Sequence, residues 1–162
     1  MSTSPLHQLS QLGQSVWIDF LSRDFVASGE LERRMRDDAL VGLTSNPTIF
    51  EKAIAAGNDY DDQIRELVDT TDDSKEIFLE LAARDVKDAC AVLRPVWSEG
   101  DGKDGYVSLE VDPDLAYERD ATFEQAMLLT DLVDRPNLFV KIPATVPAVS
   151  YTHLTLPTTP YV

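Results

Sequence analysis

A lysine stands where an apolar strand should run. Lys141 lies within Leu138-Phe139-Val140-Lys141-Ile142-Pro143, a short β-rich run preceded by Arg135-Pro136-Asn137 and stopped by a proline. An ammonium in such a run must reach a cavity or give up its proton. It can snorkel to water along its own methylenes. It can also serve as a desolvated amine that attacks a carbonyl and forms a Schiff base. Three other strand-like runs end in polar groups that suit the second role. Asp19 closes Val16-Trp17-Ile18-Asp19, Thr44 and Asn46 close Val41-Gly42-Leu43-Thr44-Ser45-Asn46, and Glu110 closes Val107-Ser108-Leu109-Glu110. A Schiff-base lysine must be neutral to attack, so its reference pKa of about 10.4 has to fall to roughly 7–8. Burial or a nearby cation lowers it, whereas adjacent carboxylates raise it. Asp19 and Glu110 therefore fit better as proton-transfer groups than as permanent ion-pair partners of Lys141. Asn46 and Thr44 could hydrogen-bond a hydroxyl or carbonyl oxygen. The set suits cleavage or formation of a carbon–carbon bond beside a ketone, with the iminium as electron sink and no metal or organic cofactor.

Each residue also has a plainer role. Asp19 could cap the following turn, Asn46-Pro47 is a common turn pair, and Glu110 could be an exposed strand end. Singly, these plainer roles prevail; four matching strand ends together favour a site. His7 and His153 are the only histidines and have no metal-like partners, so no metal site is expected. Cys90 sits in a helical run and reads as a small buried residue rather than a nucleophile. Trp17 and Trp97 read as packing residues.

The elements that must position these groups alternate. Helical spacing marks residues 5–12, with a proline near the start and a glycine after it, and a charged helix is expected over 29–36. Pro47 opens a helix reaching Ile54, followed by helices over 60–68 and from 74 to about 93. Asp72, Asp73 and Ser74 offer caps for the last of these. Asp112-Pro113-Asp114 opens a helix over 115–133. Strand then helix, four times over, means parallel strands with helical crossovers. Side chains alternate along a strand. Trp17 with Asp19, Gly42 with Thr44 and Asn46, Ser108 with Glu110, and Phe139 with Lys141 then share the face opposite the aliphatic residues. In a parallel β/α sheet the carboxyl ends of the strands converge where active sites form.

Composition narrows the partners. The 162 residues amount to at most one ordinary domain, with 43% hydrophobic content for a core. A formal net charge of −15 argues against nucleic acid and anionic membranes, but not against a small anionic substrate held by local cations and amides. One cysteine cannot make an internal disulfide, and no segment reads as a leader or a membrane span. A cytoplasmic protein is expected. Nothing in the sequence specifies an oligomeric state.

Gly42-Leu43-Thr44-Ser45-Asn46-Pro47-Thr48-Ile49-Phe50, with Ser108-Leu109-Glu110-Val111-Asp112 and Val140-Lys141-Ile142-Pro143-Ala144-Thr145, resembles the transaldolase family over roughly residues 5–145. The resemblance implies an α/β fold: a partial (β/α)8 TIM barrel, the first four βα units with an extra N-terminal helix. It implies transfer of a dihydroxyacetone unit between sugar phosphates in the pentose phosphate pathway. By position, Lys141 matches the Schiff-base lysine and Asp19 the aspartate that handles substrate-hydroxyl protons. Glu110 matches the glutamate that positions the catalytic water. Asn46 and Thr44 match residues that bind the dihydroxyacetone moiety. Another Schiff-base aldolase of this barrel type, and a non-catalytic sugar-phosphate-binding module, are the alternatives.

The pattern stops after Thr145. Residues 1–146 are expected to form the N-terminal half of such a barrel. Residues 147–162 carry no formal charge and are rich in threonine, proline and valine. The run 149–158 resembles the translation of a transposon-type sequencing adapter, so 147–162 are expected to be a non-native, disordered tail. Four units alone would lack the phosphate-binding arginines that the resemblance implies, and little turnover is expected from this chain by itself.

Overall fold

The computed structural model describes residues 4–149. Its elements are α1 (Pro5–Gln11), β1 (Val16–Asp19), α2 (Arg23–Ala27), α3 (Glu30–Asp38), β2 (Leu40–Thr44), α4 (Pro47–Ala55) and α5 (Asp61–Val68). There follow α6 (Ser74–Glu99), β3 (Tyr106–Glu110), a 3-10 turn (Pro113–Leu115), α7 (Arg119–Val133), β4 (Leu138–Lys141) and α8 (Val146–Val149). The four strands form one sheet in the order β1-β2-β3-β4, parallel throughout. This is the α/β arrangement expected, consistent with part of a TIM barrel. The expected tail, 147–162, begins inside α8, where Ala148 is buried, and its remainder lies outside the described residues.

α6 is the spine of the core. Ala82, Val86, Ala89, Cys90 and Leu93 recur at helical spacing and are fully buried against Leu43, Val107 and Leu109 of the sheet. Burying a valine or leucine fully stabilises by about 1.5–3 kcal/mol, so this stripe holds the helix to the sheet. Asn137 ties the far end of the sheet to the same helix. Its Nδ2 donates to Cys90 O at 2.9 Å and Gly105 O at 2.8 Å, and its own carbonyl accepts from Val107 N.

Three features depart from the expected pattern. First, α6 runs six residues beyond the expected end at Leu93, with Pro95 inside it. Proline cannot donate to the preceding turn, but Trp97 packs the continuation both within the helix and against the loop that follows it. Arg94 lies over the Trp97 ring at 4.6 Å, and Gly105 packs so closely that a Cβ there would stand 2.4 Å from Trp97 N. Second, the expected helix over 115–133 breaks into the 3-10 turn and α7, starting at Arg119. Asp112 caps that turn by accepting from Asp114 N at 2.9 Å. Third, the β1–β2 register shifts between Val16 and Trp17, where Leu40 and then Gly42 are the partners. The irregularity resets the alternation, so Leu40 joins Leu43 in the core, the place expected of Val41.

The opposite face of the sheet begins with an aromatic tier. Phe139 stacks on Tyr106 at 3.9 Å and faces Trp17 at 6.4 Å, both nearly parallel. Gly42 makes room for this tier, because a Cβ there would fall 2.4 Å from Trp17 Cε2.

Candidate active site

The polar ends of the strands stand one step above the aromatic tier. Asp19 follows Trp17 by two residues and Lys141 follows Phe139 by two, so alternation returns them to the same face. The register makes Asp19 the partner of Thr44 and Glu110 the partner of Lys141. Both rungs are closed by side chains. Thr44 Oγ1 donates to Asp19 Oδ1 at 2.5 Å, and Lys141 Nζ is ion-paired with Glu110 Oε1. The lysine and glutamate side chains are 37% and 32% exposed, and their pairing departs from the expectation that Glu110 would stand apart from Lys141: register neighbours of opposite charge close across the rung.

Asn46 is fixed differently. Extended at the end of β2, it caps α4, its Oδ1 accepting from Ile49 N at 3.0 Å. Pro47 occupies the first helical position, where no N–H is needed, so Asn46-Pro47 is both the expected turn pair and a rigid mount. The cap occupies the amide oxygen and leaves its NH2 group to donate to a ligand.

An open cleft of about 1060 Å³ lies over these strand ends. Asp19, Asn46 and Glu110 line it, whereas Thr44 and Lys141 reach its edge through their partners Asp19 and Glu110. Lys52, from the last turn of α4, also lines it, a cation that the sequence reading did not single out. One wall comes from Ser22, Asp24 and Asp59, and a network invisible to strand-end reasoning holds that wall. Arg23 donates through Nε to Asp85 Oδ1 at 2.9 Å, through Nη1 to Asp59 O at 3.0 Å and through Nη2 to Gln63 Oε1 at 2.6 Å. Tyr60 Oη donates to Asp85 Oδ2 at 2.7 Å, and Arg23 lies over the Tyr60 ring. Asp85 is 1% exposed, and burial pushes its carboxyl up while Tyr60 and Arg23 pull the other way. Beyond Glu110, Lys75 bridges Asp112 and Asp114 at 2.6 and 2.8 Å. Burial pushes the Asp112 carboxyl up, but the Lys75 and Asp114 hydrogen bonds outweigh it and leave it below its ordinary range.

A family model described as Transaldolase/Fructose-6-phosphate aldolase matches residues 16–152. The chain belongs to the transaldolase/fructose-6-phosphate aldolase family. Curated relatives agree in name. A protein of Acidothermus cellulolyticus called Transaldolase is 52% identical over 144 residues, which are 89% of this chain and 39% of that protein. A Transaldolase of Mycobacterium tuberculosis (strain H37Rv) is 49% identical over 148 residues, 90% of this chain and 40% of that one. A Transaldolase of Parafrankia is 46% identical over 153 residues, 93% and 42% respectively. The chain thus spans about 40% of the length of the curated relatives it matches. Among the described residues, no helix is long and apolar enough to cross a membrane, and no group of three or more His, Cys, Asp or Glu side chains could hold a metal ion. Strands and helices alternate over the matched residues from β1 to β4.

Proposed function

We propose that this chain carries the Schiff-base half of a transaldolase, moving a dihydroxyacetone unit from a ketose phosphate to an aldose phosphate, with Lys141 as nucleophile. The donor would be sedoheptulose 7-phosphate or fructose 6-phosphate. The observation that supports this reading best is the Glu110–Lys141 rung beside a cleft that Asp19 and Asn46 also line.

In the resting state Lys141 Nζ is ion-paired with Glu110 Oε1. When a ketose enters, Glu110 takes a proton from Nζ, directly or through water, and the neutral amine adds to the substrate carbonyl. The carbinolamine loses water to give the iminium. Asp19 then accepts the proton of the hydroxyl on the carbon at the far side of the bond to be cut. The carbon–carbon bond breaks, its electron pair flows into the iminium as an enamine, and an aldehyde leaves. Attack of the enamine on an acceptor aldehyde reverses these steps, and water, positioned by Glu110, releases the product and restores the amine. Asn46 and Thr44 hold the oxygens of the three-carbon unit. Sugar phosphates are the partners in this reading, and a cytoplasmic setting suits them.

The family description also names fructose-6-phosphate aldolase, and a Schiff-base aldolase without an acceptor sugar is the second reading. The relatives' names favour the transferase. By itself this chain should turn over little, since β1 and β4 each present an unpaired edge among the described residues. We further hold residues 147–162 to be foreign to the barrel; a genomic continuation encoding them would refute that.

The test is borohydride trapping with fructose 6-phosphate, followed by peptide mass spectrometry. A reduced adduct at Lys141, absent in Lys141→Ala, is the expected result. Failure to trap Lys141 above the other lysines would reject the Schiff base. On a full-length relative, acceptor-dependent exchange then separates transferase from aldolase.

A further inference from the structure

Ser108 is the inner-face residue of β3 one step below Glu110. The register pairs Ser108 with Phe139 and Glu110 with Lys141, so Ser108 is the diagonal neighbour of Lys141 across adjacent strands. Adjacent strands lie about 4.8 Å apart and two residues rise about 6.6 Å, so the two Cα atoms stand about 8 Å apart, a gap that a lysine side chain of four methylenes can bridge toward a serine hydroxyl. The serine is 2% exposed, and its Oγ has no hydrogen-bond partner among the described residues. Its backbone already anchors the strand, the carbonyl accepting from Ser45 Oγ at 2.6 Å. The hydroxyl therefore adds nothing to the sheet, and a buried unpartnered hydroxyl destabilises a fold. Alanine would fill the place with less penalty. Among the described residues, the other buried side-chain polar atoms without partners belong to Glu32 of α3, Trp97 of α6 and Asn137 before β4. Only Ser108 adjoins the Glu110–Lys141 rung on its own face.

We propose that Ser108 is a positioning residue for Lys141. Once Glu110 has taken the proton from the ammonium, Ser108 Oγ accepts an N–H from the neutral amine. This turns the nitrogen lone pair toward the substrate carbonyl, and the proton now on Glu110 is available to the carbinolamine hydroxyl as it leaves as water. The inference rests on the Schiff-base reading above.

The test uses the 162-residue chain, dihydroxyacetone as the ketone and cyanoborohydride as the reductant, across pH 6 to 9. Peptide mass spectrometry measures the adduct at Lys141 against Lys52, Lys75, Lys87 and Lys103 as internal references. Ser108→Ala should slow trapping at Lys141 about tenfold, a change of about 1.4 kcal/mol in barrier. It should also move the pH profile at Lys141, leave the reference lysines unchanged, and not lower the urea midpoint. Ser108→Thr should restore the rate. Trapping by Ser108→Ala within twofold of the parent, with the same pH profile, overturns the proposal. So does a loss of rate that accompanies a lowered urea midpoint and is not recovered in Ser108→Thr. If the parent chain itself gives no preferential Lys141 adduct, the Schiff-base reading fails first, and this role falls with it.

Discussion

Asp85→Ala should be among the most damaging single substitutions outside the strands. The carboxylate accepts two hydrogen bonds, one from the Arg23 guanidinium at 2.9 Å and one from Tyr60 Oη at 2.7 Å, and its side chain is fully shielded. A hydrogen bond to a charged group contributes about 1.5–3 kcal/mol, and breaking a buried pair from one side costs about 3–5 kcal/mol. Arg23 keeps Asp59 O and Gln63 Oε1 and is 17% exposed, so water can relieve part of its lost pairing. That places Asp85→Ala at about 3–4 kcal/mol, the lower part of the range. With a urea slope of about 2 kcal/mol/M, the midpoint should fall by about 1.5–2 M. Asp85→Asn is a different case. Its Oδ1 can still accept from Arg23 while its Nδ2 donates to Tyr60 Oη, and burial already favours the neutral form of this side chain. It should cost only about 1 kcal/mol. Adding Tyr60→Phe to Asp85→Ala should cost clearly less than Tyr60→Phe alone, because the two share one bond. A midpoint drop under about 0.5 M for Asp85→Ala, or strict additivity with Tyr60→Phe, would refute the idea that this network clamps α2 and α5 to α6.

Three further outcomes follow from other contacts. Gly42→Ala places a methyl 2.4 Å from the rigid Trp17 ring, and overpacking of this kind should cost about 1–3 kcal/mol or more, with an altered near-ultraviolet dichroism from Trp17. Hydrogen bonds from Arg33 and then Arg34 hold the Glu30 carboxyl at about 2, against its ordinary 4.5. A lowered carboxylate stabilises the fold above its ordinary value and stops doing so as pH falls through about 2; Glu30→Gln should therefore lower the unfolding midpoint at pH 6 and leave it unchanged near pH 2. Burial pushes the Cys90 thiol up to about 12, so Ellman's reagent at pH 8 should react very slowly with the native chain and promptly in urea.

The chemistry-bearing residues were easier to find than the contacts that hold them. Strand alternation and strand order suffice to put Glu110 next to Lys141 and Asp19 next to Thr44, because parallel pairing of consecutive strands leaves few registers. They do not say that Lys141 rests in an ion pair, since rotamers depend on neighbours rather than on period. Asn46-Pro47 was legible as a turn, and the helix cap it makes belongs to the same local chemistry. The Arg23–Asp85–Tyr60 network was not legible. Its members lie 25 to 62 residues apart on three segments, and nothing local distinguishes Asp85 from the many solvated acids around it. The extension of α6 through Pro95 was equally hidden, because a local breaker was overruled by Trp97 packing on a distant glycine. The β1–β2 irregularity changed which residue, Leu40 or Val41, enters the core, and a strict two-residue period cannot anticipate that.

The stack of Trp17, Phe139 and Tyr106 also gives this protein an optical handle. The indole of Trp17 sits one storey beneath the carboxylate of Asp19 and lies nearly parallel to the ring two residues before Lys141. In the proposed reaction, a ketose condensing with Lys141 would alter the polarity that its excited state senses. Trp97, packed beside Gly102 and Gly105 at the far end of the helix, supplies a steady background. Occupancy of the cleft can therefore be followed by native emission, without a label.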